Sequence, residues 1–520
     1  MLRRLQASKA AKNAAASYLA FFSNAACAIL SMAFAFRYLG KAEIGLWTVL
    51  NQVVGYLVWL DLGVGDGLGR KIAPALAAGD RDEASSWWTA SWGMLLFQGI
   101  VILLLAVCTY PLVLAWLEIP PPLERDATWL FLGTSLLLAV NLPSRMYPGI
   151  LLAQERFHWV PLVQSVVPWV QIAVFACMLR AGCGVRSFLW SVAAGQLTAF
   201  AAFLILVHCG TAENSKLHRT RLHWGRIREL LGFGGSLTIH GLSNAITASL
   251  PALIIGRHGG LAAVPTFGFT QRGPAMASSL VLKTSLSFYP ALQRMQVEGR
   301  QQEFLSKYRC VLDLTLSVGL VGAGAIIALN RALIETIASP SFFAGHWTNL
   351  WFAAGLILGP LSACLTHLLQ YSGSMGKTAW LSILQVFLYA GCGSLTWQRF
   401  GLPGMAALLV LVPLVTTAPY ALVRGAKSCG FHASVLLIPV IGRAAAMAAS
   451  ILTCGFVLHS GASPGQEVIA FNRHWPLPGA TELFCGCTLT AVGLLLFARS
   501  FKNLKNGVPS SSNQPPVSIP

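Results

Sequence analysis

Residues 85–108 read SSWWTASWGMLLFQGIVILLLAVC, a stretch without a single charged side chain. A helix needs about 20 consecutive apolar residues to cross the hydrocarbon core of a bilayer. This stretch is long enough, and it is bounded by charged residues on its N-terminal side. It therefore predicts a transmembrane helix.

The same pattern recurs along the chain. Of the 520 residues, 55% are hydrophobic and only 10% are charged, whereas an ordinary soluble domain carries roughly 25% charged residues. The composition therefore excludes a soluble globular protein and predicts an all-α integral membrane protein. Windows of the required length predict about fourteen transmembrane helices, at residues 14–36, 43–62, 85–108, 127–149, 157–179, 187–208, 230–256, 261–287, 308–330, 348–372, 376–397, 402–423, 434–458 and 478–497.

The net charge of +18 would indicate nucleic-acid binding in a soluble protein, but here the position of the charges decides what they mean. Lys and Arg concentrate on the cytoplasmic side of membrane proteins. If the N-terminus lies inside, fourteen crossings place most of the 36 Lys and Arg residues in inner segments. We therefore expect a multi-pass protein of the cell inner membrane, with both termini cytoplasmic and no nucleic-acid partner.

A long basic connection at residues 209–229 separates six predicted spans from eight and predicts a boundary between two lobes. Pro74-Ala75-Leu76 and Pro290-Ala291-Leu292 each precede a polar segment, which indicates a duplication of six helices, as in some secondary transporters. The predicted organisation is a cytoplasmic N-terminus (1–13), a first lobe (14–208), the basic linker (209–229), a second lobe (230–425), two further helices (434–497) and a disordered cytoplasmic tail (498–520).

The eighth predicted span carries two basic residues, Arg272 and Lys283. A charge within hydrocarbon costs at least about 2.5 kcal/mol, so such residues usually face a wet cavity or a partner. Their spacing is close to three helical turns, which places both on one face about 16 Å apart along the axis. This face predicts a site for an anionic group such as a diphosphate. The alternatives are that Lys283 snorkels to the inner headgroups and that the span around Arg272 is displaced by a turn.

Further candidate binding residues lie in other spans. Arg145 stands in the inner part of the fourth span and Arg37 at the outer end of the first, where an interfacial anchor is the alternative for both. His240 and Asn244 belong to a polar stripe in the seventh span, which either lines a hydrated cavity or packs against other helices.

Asp61 closes the second predicted span, and a carboxylate near the membrane interior requires a counter-charge. We expect Arg70 to supply it, as a structural or gating ion pair. The sequence shows no catalytic signature, no nucleotide-binding motif and no clustered metal ligands of the kind that zinc needs. We therefore expect a protein that is not an enzyme and needs no metal or cofactor. An ion gradient of H⁺ or Na⁺, the membrane potential or removal of product must then supply the energy.

Residues 37–47, RYLGKAEIGLW, followed by Asp61-Leu62-Gly63, Arg70 and Ala73, resemble the N-terminal signature of polysaccharide-biosynthesis flippases. These are the O-antigen and exopolysaccharide translocases of the multidrug, oligosaccharidyl-lipid and polysaccharide exporter superfamily. The resemblance implies a V-shaped, MATE-like carrier of two six-helix lobes. Such a carrier moves undecaprenyl-diphosphate-linked oligosaccharide from the inner to the outer leaflet by alternating access, and it holds the diphosphate with basic cavity residues. Membrane lipids, a polysaccharide polymerase and chain-length proteins are the partners to expect.

Two other classes stay open. A cation-coupled multidrug exporter of the same superfamily would carry acidic residues deep in its spans, whereas the intramembrane charges here are predominantly basic. A membrane glycosyltransferase or polysaccharide polymerase would carry a sizeable outer loop with catalytic groups. The longest predicted outer loops, residues 331–347 and 459–477, are short and hold few such groups.

Overall fold

The computed structural model describes residues 2–61, 64–154, 156, 158–208, 218, 220–221, 224–286, 288–371, 378–429, 431–433, 447 and 488–496. Within these residues the chain forms the fifteen α-helices given below, a helical stretch at residues 488–496 and no β-strand, which confirms the predicted all-α class. The chain divides into two compact units, Met1–Pro265 and Thr266–Pro520.

The first unit contains nine helices. They are α1 (Leu2–Tyr38), α2 (Lys41–Leu57), α3 (Val64–Ala78), α4 (Arg81–Trp116), α5 (Pro121–Asn141), α6 (Met146–Ala153), α7 (Trp159–Arg180), α8 (Ser187–His208) and α9 (Trp224–Gly259). Short 3-10 segments follow α2 and α5, at Val58–Asp61 and Leu142–Arg145. Helix α7 packs against α1 and α8, α3 packs against α6, and α4 packs against α3 and α5.

Helix α10 (Ala263–Leu286) begins at the end of the first unit and lies mostly in the second. The remaining helices are α11 (Tyr289–Val297), α12 (Gln301–Ile337), α13 (His346–Tyr371), α14 (Thr378–Val415) and α15 (Thr417–Ser428). Helix α13 is central, because it contacts α12, α14 and α15. The aliphatic side chains between these helices form the buried core of the second unit.

Each of the first twelve predicted spans coincides with one or more of these helices. Among the described residues, eight helical segments are long and apolar enough to cross a membrane. Helix α2, with 17 residues, is too short by itself, and α10 carries Gln271, Arg272 and Lys283. Part of α9 has side chains outside the described ones. The last two predicted spans lie largely outside the described residues. Residues 488–496 are helical, and Leu489 is buried in the core of the second unit.

Helix α14 covers two predicted spans, residues 376–397 and 402–423, and its backbone is interrupted between them. Gly401 adopts φ 57° and ψ −138°, outside the helical region. A positive φ is open to glycine but costs other L-residues roughly 1–2 kcal/mol. The gap that the sequence predicts between the two spans therefore corresponds to a kink at a glycine.

One end of α9 is attached to α3 and α4 by charged and aromatic side chains. Lys71 of α3 forms an ion pair with Glu229 of α9. The indole of Trp87 on α4 is 6% exposed, with Lys71 Nζ 5.4 Å and Arg226 Cζ 5.2 Å from its ring centroid. Arg226 also donates a hydrogen bond to the Glu83 carbonyl oxygen at 3.1 Å. We name these five residues the Trp87 clamp.

Two further side-chain contacts join the rest of α9 to the first unit. Ser249 Oγ donates to Gln52 Oε1 at 2.7 Å, and Arg257 pairs with Glu118 at 2.7 Å, just after α4 ends. Helix α9 therefore belongs to the first compact unit, which ends after it, whereas the lobe boundary predicted at residues 209–229 precedes it. That lobe assignment stays a prediction.

Candidate functional site

Arg272 lies in α10, a helix of 24 residues in which it is exposed. Among the residues that the structure describes, its guanidinium has neither an ion pair nor a hydrogen bond. An arginine carries five N–H donors in a planar fork that matches phosphate oxygens. Arg272 therefore offers a full set of donors to an anionic ligand.

A buried polar network fixes α10 two residues before Arg272. Asn330 of α12 donates through Nδ2 to the Thr270 carbonyl oxygen at 3.0 Å and to Asn349 Oδ1 of α13 at 2.8 Å. The Thr270 hydroxyl accepts from the Ala344 amide at 2.9 Å. The three polar side chains are at most 4% exposed. Because this network binds α10 to α12 and α13, the backbone that carries Arg272 is held in place.

Gly273, next to Arg272, lets α10 approach α12 at this point. A Cβ atom at this position would lie 2.7 Å from Asn330 Oδ1, a contact that real side chains do not make. Lys283 follows on the same continuous helix and is half-buried. The axial separation of about 16 Å that the sequence predicts for the two basic residues therefore applies.

In the first unit, Asp61 and Arg145 form an ion pair, with 2.8 Å between Arg145 Nη1 and Asp61 Oδ2. Asp61 ends the 3-10 segment after α2, and Arg145 ends the one after α5. Two interruptions of the helical backbone thus place opposite charges against each other. The sequence predicted Arg70 as the partner of Asp61, but the Arg70 side chain lies outside the described residues, so that pairing stays a prediction.

Gln98 of α4 completes this polar cluster and was not singled out from the sequence. Its side chain is 7% exposed, and its Nε2 points at the Asp61 carbonyl oxygen, 3.4 Å away. Its Oε1 has no hydrogen-bond partner among the described residues. A lone glutamine inside the apolar run MLLFQGIVILLL was the signal that could have identified it, because an unpaired buried amide is costly. Asp61, Gln98 and Arg145 are called the Asp61 cluster below.

The other predicted site residues are not brought into these clusters. Arg37 is exposed in the last turn of α1, where a basic side chain interacts favourably with the helix dipole. His240 and Asn244 lie in the helical backbone of α9, but their side chains are outside the described ones. No group of three or more His, Cys, Asp and Glu side chains within the described ranges could hold a metal ion.

Comparison with known proteins identifies the family to which the chain belongs. Residues 10–296, more than half of the chain, match the sequence model of the family described as polysaccharide biosynthesis protein. A comparison with curated proteins finds no matching relative.

Several solved structures have a similar fold. One is an inward-facing multidrug resistance MATE family transporter of the MOP superfamily, at 14% identity and a TM-score of 0.66, covering 77% of this chain and 94% of that one. Another is a MOP superfamily transporter from Pyrococcus furiosus, described by the reverse polarity of its binding pocket, at 14% identity and a TM-score of 0.58, covering 81% and 95%. At this identity the likeness shows the fold alone. The chain therefore belongs to the polysaccharide biosynthesis protein family, and it is a multi-pass membrane protein with the fold of the MATE transporters.

Proposed function

We propose that this protein is a transporter, a flippase for a polyprenyl-diphosphate-linked oligosaccharide that is an O-antigen or exopolysaccharide repeat unit. It carries this substrate from the inner to the outer leaflet of the cell inner membrane by alternating access, with both of its termini in the cytoplasm. The observation that carries the proposal is Arg272, an exposed guanidinium on a membrane-length helix whose donors have no partner among the described residues. The polysaccharide biosynthesis family supports the choice of cargo.

A charged lipid-linked sugar needs the kind of basic site that Arg272 provides. A sugar diphosphate cannot cross about 30 Å of hydrocarbon unaided, so the carrier must offer it a hydrated path with positive charge. Arginine binds phosphate oxygens through paired hydrogen bonds, and the buried Asn330 network holds the backbone of Arg272. The polyprenyl tail remains in the bilayer while the charged head passes.

Other basic and polar residues complete the proposed path. Lys283 shares the face of α10 with Arg272, and Arg145, Arg37, His240 and Asn244 are the further binding residues that we propose. No cofactor is part of the proposal, and an H⁺ or Na⁺ gradient or the membrane potential drives the cycle. Membrane lipids, a polysaccharide polymerase and chain-length proteins are the proposed partners.

Substitution of Arg272 tests the proposal directly. We expect Arg272→Ala to lower export by roughly 10- to 100-fold, because hydrogen bonds to a charged group contribute about 1.5–3 kcal/mol. Arg272→Lys keeps the charge without the planar fork and should retain part of the activity. The measurement is genetic complementation of export, with protein abundance determined for each variant.

Arg331→Ala is the matched control. It removes an arginine from α12 in the same unit, where the side chain pairs with Glu335 at 2.8 Å, and it should leave export close to wild type. Full export by Arg272→Ala would remove Arg272 from the substrate path.

Reconstitution separates the flippase from the other classes. Purified protein in vesicles should expose a labelled polyprenyl-diphosphate sugar on the opposite leaflet and leave it chemically unchanged. Failure to do so, together with proton-driven efflux of cationic dyes, would instead identify a drug exporter. Conversion of the labelled lipid to a new product would identify an enzyme.

A further inference from the structure

The ion pair of the Asp61 cluster leaves most of the Arg145 guanidinium available. Arg145 contacts Asp61 through Nη1 only, and its remaining N–H groups have no partner among the described residues. Its side chain is 37% exposed, whereas that of Asp61 is 16% exposed. The arginine is therefore the open member of the pair, and a second anion can reach it.

The ion pair between Asp61 and Arg145 is a single contact between one nitrogen and one oxygen. A monodentate contact lacks the two parallel hydrogen bonds that make an arginine–carboxylate pair strong. A partly exposed ion pair contributes only about 0–1 kcal/mol, so an anion that binds the same guanidinium through two hydrogen bonds can compete with it. The pair is thus poorly suited to a purely structural role and well suited to exchange.

Gln98 gives independent evidence that the cluster contains, among the described residues, a hydrogen-bond acceptor without a donor. Its amide is more than nine-tenths buried, faces the backbone of Asp61 and leaves Oε1 unpaired within the described part of the chain. An unsatisfied buried acceptor is expensive unless a ligand, an ordered water or a neighbouring group completes it. The cluster therefore resembles a binding site more than a completed network.

We propose that Asp61 is a displaceable counter-ion of Arg145: it neutralises Arg145 when no anion is bound, and the diphosphate of the lipid-linked substrate takes its place. This inference rests on the proposed function and assigns a role to an acidic residue of the path. Asp61 and the anion compete for the charge of one guanidinium. Each therefore weakens the other by the same factor.

This exchange solves a problem that a carrier of anions faces. An arginine that binds a diphosphate too tightly cannot release it on the far side. Asp61 supplies a competing negative charge that lowers affinity and promotes release. The carboxylate also spares the membrane interior an uncompensated cation during the return of the carrier, because an isolated charge there is costly.

Binding measurements on the purified full-length protein test the inference. The protein is placed in phosphatidylcholine nanodiscs and titrated calorimetrically with farnesyl diphosphate, with inorganic pyrophosphate and with farnesol. We expect Asp61→Asn to bind both diphosphates about fivefold more tightly than wild type, since this factor corresponds to about 1 kcal/mol, the upper range for an exposed pair. The double variant Asp61→Asn/Arg145→Gln should lose that gain, and farnesol should not respond to either substitution.

Asp126→Asn is the matched control. Asp126 forms a similar monodentate pair with Arg186 in the same unit, at 2.7 Å, so its substitution removes the same charge at another place. An equal gain in this variant would mean that overall charge sets the affinity and would overturn the inference.

The outcome for wild type separates this inference from the proposed function. If wild type binds no diphosphate, both fail together. If wild type binds farnesyl diphosphate but Asp61→Asn binds it equally or more weakly, the flippase proposal stands and the counter-ion role of Asp61 is refuted. Monodisperse elution of each variant in size-exclusion chromatography excludes misfolding as the cause.

Discussion

Asn330 is the residue on which the geometry around Arg272 depends most. One buried side-chain amide donates to the backbone of α10 and to a side chain of α13, and it is itself carried by α12. A smaller apolar residue would leave the Asn349 oxygen and the Thr270 carbonyl without a donor. Buried groups that lose their partners are destabilising by about 1–3 kcal/mol each.

We therefore expect Asn330→Ala to lower the free energy of unfolding by roughly 1–3 kcal/mol and to reduce export as well, because Arg272 loses its fixed backbone. Thermal unfolding followed by tryptophan fluorescence measures the first effect and complementation the second. Arg331→Ala, at the neighbouring exposed position, should change stability by less than about 0.5 kcal/mol. Equal unfolding midpoints for the two variants would contradict the role given to the network.

At the scale of residues, the sequence identified Arg272 because a cation inside an apolar run is a local anomaly. It did not predict the contact between Asp61 and Arg145, which joins residues 84 positions apart. The pairing of Asp61 with Arg70, a neighbour along the chain, stays a prediction. Long-range contacts depend on how the interrupted helices pack, and no local pattern encodes that.

At the scale of elements, the kink in α14 gives a second prediction. Gly401→Ala should lower the free energy of unfolding by roughly 1–2 kcal/mol, because alanine at φ 57° is strained. Gly391→Ala is the control within the same helix, since a Cβ there meets nothing within 4 Å. That change should be neutral or stabilising by up to about 1 kcal/mol. Denaturant or thermal unfolding of both variants checks the difference, and equal effects would show that Gly401 is not strained.

The helices themselves were the most predictable elements. A run of about 20 apolar residues with charged ends predicts a transmembrane helix, because the apolar residues suit the hydrocarbon core and the charged ends suit water. The first twelve predicted spans all correspond to helices. The interruptions were less visible. Residues 58–61 (VWLD) are apolar apart from the terminal Asp61, so hydropathy does not distinguish this 3-10 turn from a continuous helix.

At the scale of the whole molecule, α9 contacts α2, α3 and α4 of the first unit. Its assignment to a second lobe, made from its position after the basic linker, stays a prediction. We expect two co-expressed fragments, residues 1–212 and 213–520, to purify together, because the Trp87 clamp, Ser249–Gln52 and Arg257–Glu118 hold α9 without the intervening backbone.

Trp87→Ala should reduce the recovery of the second fragment in that experiment, since it removes a buried ring and two cation–π contacts worth about 0.5–1 kcal/mol each. Trp224→Ala is the control, because this tryptophan is also close to the linker but 74% exposed. Affinity purification through a tag on the first fragment measures recovery. Fragments that separate even with the clamp intact would refute the attachment of α9.

The attachment of α9 also has a consequence for the gene. A stop and restart of translation within the linker would divide the reading frame into two cistrons, and we expect their products to associate. The same codons are therefore the natural place to fuse a reporter enzyme in frame, and the side of the membrane on which that reporter is active would establish the orientation of the whole chain.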